Sequence, residues 1–152
     1  MEYVTLYHNM PMPMVGIGTF LMTPDEAEAS VRSALEAGYR LIDTANAYVN
    51  EKAVGRAIRA SGLDRKEIFL ETKLWPSFYE QQDAVDKTLE RLGTDYIDLG
   101  MIHFVDEEAE FHRIMEGEFL AYVKEQKAKG VIRHIGMSTH NPRVGILAAL
   151  SG

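Results

Sequence analysis

A chain of 152 residues with 46% hydrophobic and 26% charged side chains has room for one domain with a sizeable core, and its composition is that of a folded globular protein. Sixteen Lys+Arg against 23 Asp+Glu give a formal charge of -7, so no basic excess exists to neutralise a nucleic-acid backbone. The lack of cysteine excludes disulfides, thiolate metal sites and a cysteine nucleophile, and fits a reducing cytoplasm.

Tyr3 to Leu6 and Met12 to Gly18 read as short extended segments joined by a turn at His8-Asn9-Met10-Pro11. Thr23-Pro24-Asp25-Glu26 is a helix start, with Thr23 as N-cap, Pro24 at the first helical position and Glu26 closing a capping box. Ala27, Val31, Ala34 and Leu35 follow at helical spacing, and Gly38 stops the helix. Tyr39 to Asp43 reads as a strand and Glu51 to Ala60 as a helix. Glu67 to Lys73 is the next strand. Asp83 to Leu92 is a helix with Val85, Leu89 and Leu92 inward, and Gly93 ends it. Tyr96 to His103 is a strand. Glu108 to Lys129 is helical, interrupted near Gly117. Val131 to Ser138 is a strand, and Asn141-Pro142 restarts a helix that runs out at Gly152. The N-terminus, MEYVTLYHNM, has no secretory pattern, and no apolar run approaches the roughly 20 residues of a membrane span.

Strands and helices alternate with a repeat of roughly 30 residues, the size of a βαβ unit. The pattern predicts one domain over 1–152, with about five parallel strands and helical crossovers. It leaves two architectures open: a doubly wound sheet, or part of an eight-fold barrel, which complete needs roughly 250 residues.

In either fold, chemistry gathers where parallel strands end. Asp43, Lys73 and His103 close predicted strands, and Tyr48 lies on the connection after Asp43. Together they suit a proton donor. A phenol has a pKa near ~10, too high to donate efficiently at neutral pH. A neighbouring ammonium stabilises the phenolate and lowers that value. A carboxylate holds the ammonium, and an imidazole orients a carbonyl oxygen. Taken singly, each residue has a plainer role: a loop cap, a solvated lysine, a half-buried aromatic, a structural histidine. A different chemistry would use Lys73 as a Schiff-base nucleophile, but Asp43 nearby would keep it protonated. No pair of histidines has metal-ligand spacing, so no metal is expected. Gly16-Ile17-Gly18 reads as close backbone packing in a strand rather than a nucleotide fingerprint.

LIDTANAYVNEKAVGRAI (Leu41 to Ile58) and IFLETKLWP (Ile68 to Pro76) resemble the aldo-keto reductase family. MPMVGIGTF (Met12 to Phe20) is similar to its first barrel strand after an N-terminal hairpin, and DYIDLGMIHF (Asp95 to Phe104) to its fourth. The segment after about residue 95, above all Phe111 to Pro142, resembles a different branch of the same family. The resemblance implies a partial (β/α)8 TIM barrel and NADPH-dependent reduction of small aldehydes and ketones, with NADH as the alternative cofactor. It implies Tyr48 as general acid, Lys73 lowering its pKa, Asp43 paired with Lys73, and His103 orienting the carbonyl. It places Phe20, Trp75 and Phe104 along the substrate pocket, and Asp43, Ser138 and His140 against the cofactor. Measured against that family, the chain reads as truncated after the fifth strand, with self-association expected to cover an open barrel. A catalytically inactive half-barrel is then the alternative to an enzyme.

Overall fold

The computed structural model describes residues 1–78 and 81–151. Strands β1 (Tyr3–Leu6) and β2 (Met10–Pro13) form an antiparallel hairpin. Its turn comes earlier than the sequence predicts. His8 and Asn9 take left-handed φ values of 58° and 57°, which turns the chain sharply enough for Met10 to pair with Leu6. The hairpin lies against Ile68, Asp98 and Arg133, at the N-terminal end of the main sheet.

That sheet contains β3 (Gly16–Gly18), β4 (Leu41–Asp43), β5 (Phe69–Leu74), β6 (Ile97–Ile102) and β7 (Ile132–Met137), parallel and in sequential order. The order decides between the two architectures. A doubly wound sheet reverses direction at a switch point and covers both faces. Here each strand pairs with the next, and right-handed crossovers leave the helices on one face, as in a barrel.

The helices are α1 (Pro24–Glu36), α2 (Glu51–Ala60), α3 (Ala84–Leu92), α4 (Glu108–Glu116), α5 (Glu118–Ala128) and α6 (Pro142–Ser151). Of these, α1 starts on a side-chain capping box. Thr23 accepts the Glu26 N–H, and Glu26 accepts the Thr23 N–H in return. Gly117, in extended conformation, separates α4 from α5 at the predicted break. Gly152, the expected end of the last helix, lies outside the described residues.

Two apolar clusters join sheet to helices. One packs Ala27, Val31 and Leu35 of α1 and Val54 and Ile58 of α2 on Ile42 and Leu70. The other packs Val85, Phe111, Ile114 and Val123 on Leu74, Ile102 and Ile132. Along β5, Leu70, Thr72 and Leu74 are buried toward the helices, so Glu71 and Lys73 lie on the opposite, inner face. Gly16 has no room for a side chain, because a Cβ there would strike Leu41 of the neighbouring strand. Gly55 lets α2 approach the backbone of Leu92 in the same way.

Several boundaries differ from the sequence reading. Tyr39 and Arg40 precede β4, and Glu67 sits in a single 3-10 turn, Arg65–Glu67. Asp64 caps that turn by accepting the Lys66 N–H at 3.0 Å, a local bond that outcompetes strand extension. Leu89 is only partly buried. His134 is half-buried on β7.

Candidate active site

The C-terminal ends of the strands form a rim. Asp43 is the last residue of β4, Lys73 the penultimate residue of β5, and His103 follows β6. The Lys73 ammonium bonds the Asp43 carboxylate and the Thr44 carbonyl, the latter at 3.1 Å. Lys73 is 9% exposed, so its charge is stabilised by these groups more than by water.

Tyr48 ends a 3-10 turn, Asn46–Tyr48, that directly follows β4. The Lys73 Nζ lies 5.4 Å from the centroid of its ring, and Phe20 packs at 5.1 Å. The turn is anchored from outside, because the Asn46 Oδ1 accepts the Trp75 N–H at 3.1 Å. Ammonium, carboxylate and phenol ring thus meet at the ends of two neighbouring strands. His103 shares their field: burial holds its imidazole below the ordinary histidine range, and the Lys73 charge lowers it further.

At the base of the loop that carries Tyr48 lies a polar cradle that sequence reasoning missed. Thr19, Thr44 and Asn50 are all buried. The Thr19 hydroxyl lies 3.0 Å from that of Thr44, and the Thr44 hydroxyl 3.2 Å from Asn50 Oδ1. The Asn50 amide donates to the carbonyls of Thr19 and Met22 at 2.9 and 3.0 Å. These bonds tie the loop after β3 to the loop after β4 and to the start of α2. Next to Asn50, Glu51 is 2% exposed, accepting from Thr72 at 2.7 Å and from Arg91 at 2.6 Å. Burial nevertheless pushes the Glu51 carboxyl up. The only sequence signal for the cradle was small polar residues beside strand ends, which also suit a surface loop.

The other side of the rim is aromatic. Trp75 stacks on Phe104 at 5.3 Å and touches the His103 ring at 5.3 Å. Phe104 meets His140 edge-on at 5.1 Å. His140 has a side chain 74% exposed, with its Nδ1 3.1 Å from the Asp106 carboxylate. The His140 main-chain N–H donates to the same carboxylate at 2.6 Å, which, with the other bonds there, holds the Asp106 carboxyl below the usual range. Ser138 follows β7, and its hydroxyl oxygen lies 2.5 Å from His103 Nδ1.

The structure therefore brings Asp43, Lys73, Tyr48 and Phe20 into one group. It brings His103, Ser138, Trp75, Phe104 and His140 into an adjoining one. Glu71, not singled out from the sequence, pairs in register with Asp43 on the inner face. Its carboxyl is raised by burial first and by the Asp43 charge second, with Lys73 opposing. A cleft of about 890 Å³ elsewhere, lined by Gln82, Asp86, Tyr122 and Gln126, includes none of the rim residues. Among the described residues no cluster of His, Cys, Asp and Glu could hold a metal, and no helix is long and apolar enough to cross a membrane.

A family model described as the Aldo/keto reductase family matches residues 14–148. An aldo-keto reductase of Mycobacterium avium is 43% identical over 139 residues, which are 89% of this chain and 47% of that protein. The crystal structure of an aldo/keto reductase from Brucella melitensis superposes with a TM-score of 0.83 at 39% identity, over 94% of this chain and 55% of that one. A Bombyx mori aldo-keto reductase, solved in complex with NADP, gives a TM-score of 0.75 at 32% identity, over 90% of this chain and 50% of that one. The chain thus spans about half the length of the relatives it matches. With the motif-bearing strand ends arranged on one rim of a partial barrel, the chain belongs to the aldo/keto reductase family of oxidoreductases.

Proposed function

We propose that this chain carries the carbonyl-reducing site of an NADPH-dependent reductase acting on small aldehydes and ketones, with Tyr48 as the proton donor. The observation that carries the reading is the Asp43–Lys73 pair set against the Tyr48 ring. A carbonyl accepting hydride develops negative charge on oxygen, and a phenol that yields its proton there becomes a phenolate. An adjacent ammonium stabilises that phenolate more than it stabilises the phenol. Asp43 and the Thr44 carbonyl hold the ammonium in place. The neutral His103 imidazole polarises the same oxygen by hydrogen bonding, and Trp75, Phe104 and Phe20, exposed at the rim, supply apolar surface for the substrate.

The donor set fits the reactive end of a nicotinamide cofactor. The Ser138 hydroxyl oxygen accepts the Phe104 N–H at 3.0 Å and keeps a second lone pair. Asp43, Ser138 and His140 would hold the group, whose bound form supplies a hydride to the carbonyl carbon. Lys73 as a Schiff-base nucleophile is disfavoured by the same Asp43 pair, because a nucleophilic amine must be neutral.

The test is NADPH oxidation by the purified 152-residue chain with a reactive aldehyde, beside Tyr48→Phe. The variant should lose roughly 100-fold or more in rate, the scale of general-acid catalysis. An unchanged rate in Tyr48→Phe would overturn the assignment. No turnover in either protein would favour the second reading, a catalytically inactive portion of a barrel, which the match to about half of each relative keeps in view.

A further inference from the structure

We propose that Ser138 is a positioning residue that fixes the tautomer of His103, its hydroxyl donating to Nδ1 so that the imidazole hydrogen resides on Nε2. The use of that hydrogen toward a carbonyl rests on the function proposed above; the tautomer itself does not.

The assignment follows from counting donors. A serine hydroxyl has one hydrogen and two lone pairs. The Phe104 main-chain N–H donates to Ser138 Oγ at 3.0 Å, and an N–H cannot accept in return. The His103 Nδ1 is the other partner of Oγ among the described residues, at 2.5 Å. Were Nδ1 to carry the hydrogen, both lone pairs of the oxygen would be taken, and the hydroxyl hydrogen would have no acceptor among the described residues. With Nδ1 bare, the hydroxyl donates to the imidazole and accepts from Phe104, so Nδ1, the hydroxyl hydrogen and the Phe104 N–H each have a partner.

The backbone holds this geometry on both sides. The ladder between β6 and β7 continues past the strands: the Ser138 N–H donates to the Ile102 carbonyl at 3.0 Å, and the Val105 N–H to the Ser138 carbonyl at 2.9 Å. His103 is fixed in turn by its own N–H, which donates to the Leu74 carbonyl at 3.0 Å. Phe104, between them, adopts a left-handed φ of 64°, a conformation that costs a non-glycine residue energy. The same residue gives its N–H to Ser138 Oγ and its ring to Trp75. The tautomer question is meaningful because the imidazole is neutral near pH 7: burial and the Lys73 charge both disfavour its cation.

The experiment is long-range 1H–15N correlation of the 15N-histidine-labelled chain at neutral pH, with His103→Gln identifying the resonances. In the wild type, the His103 Nδ1 should resonate as an unprotonated ring nitrogen and Nε2 as a protonated one. Ser138→Ala should move both toward a mixture of tautomers, and Ser138→Thr, which keeps the hydroxyl, should restore the wild-type pattern. A wild-type spectrum with hydrogen on Nδ1 would overturn the proposal, as would an Ser138→Ala spectrum identical to wild type. Should Ser138→Ala fail to fold, the wild-type and Ser138→Thr spectra still decide the tautomer. Where turnover is measurable, Ser138→Ala should lower kcat on the order of tenfold, the scale found when a partner that orients a histidine is removed. The spectrum needs no cofactor or substrate, so it stands or falls apart from the reductase reading.

Discussion

On the β3–β4 side of the rim, Thr19, Thr44 and Asn50 are buried and bond one another at the base of the loop that carries Tyr48. On the β6–β7 side, Phe104 and His140 are exposed and held by single polar anchors, Ser138 and Asp106. In the proposed reaction the first side places the acid, whose partners must sit within a hydrogen bond of the right atom. A buried network provides that, because breaking any member strands polar atoms away from water. In the same proposal the second side presents apolar surface to the substrate, which needs shape more than register. Exposed rings on surface-tied loops suffice, and they leave that wall freer to vary.

The comparison can be broken most forcefully at Glu51, next to the cradle. Glu51→Ala removes the partner of Arg91 and of the Thr72 hydroxyl, so chemical denaturation should show a loss of about 3 kcal/mol. A loss below ~1 kcal/mol would mean that Arg91 finds water, and that the buried side is less demanding than its geometry indicates. Asn50→Ala should come next, at roughly 2 kcal/mol, since it takes the amide donor from the Met22 carbonyl and removes the acceptor that the Thr19 and Thr44 hydroxyls share. If the cradle positions the acid, Asn50→Ala should also lower kcat more than it changes KM.

Asp106→Ala, on the aromatic side, should give the smallest change in melting temperature. Its sign with pH is fixed by the lowered carboxyl. A group whose folded pKa is depressed contributes above its unfolded value, and the contribution disappears as pH falls through the folded one. The wild type should therefore melt above Asp106→Ala at neutral pH and converge with it in acid. A difference that persisted in acid would show that Asp106 acts through packing rather than charge. Should Asp106→Ala rival Asn50→Ala in cost, the contrast between the two walls would be lost.

Much of this was legible in the sequence because it is local. The Thr23–Glu26 capping box, the Gly117 break and the period of α1 involve neighbours within a turn or two. The strand ends Asp43, Lys73 and His103 were legible too, because alternation marks where a strand stops. The hairpin turn was misplaced by the left-handed pair His8–Asn9, and β5 starts late because of the Asp64 cap. In both cases a local backbone choice prevailed over hydrophobic pattern. The cradle was illegible because Thr19 and Asn50 are 31 residues apart, and nothing in either neighbourhood announces the other.

By itself the sequence determined which elements form, where they are capped and which polar side chains stand at strand ends, since propensity, capping and periodicity act over a few residues. The tertiary structure decided the sequential strand order, the meeting of Asp43 with Lys73 across 30 residues, and the bond of Ser138 to His103 across 35. Those contacts depend on strand register and on the one-sided stacking of helices. Both are settled by burying the largest apolar area against the sheet, a property of the whole chain rather than of any segment.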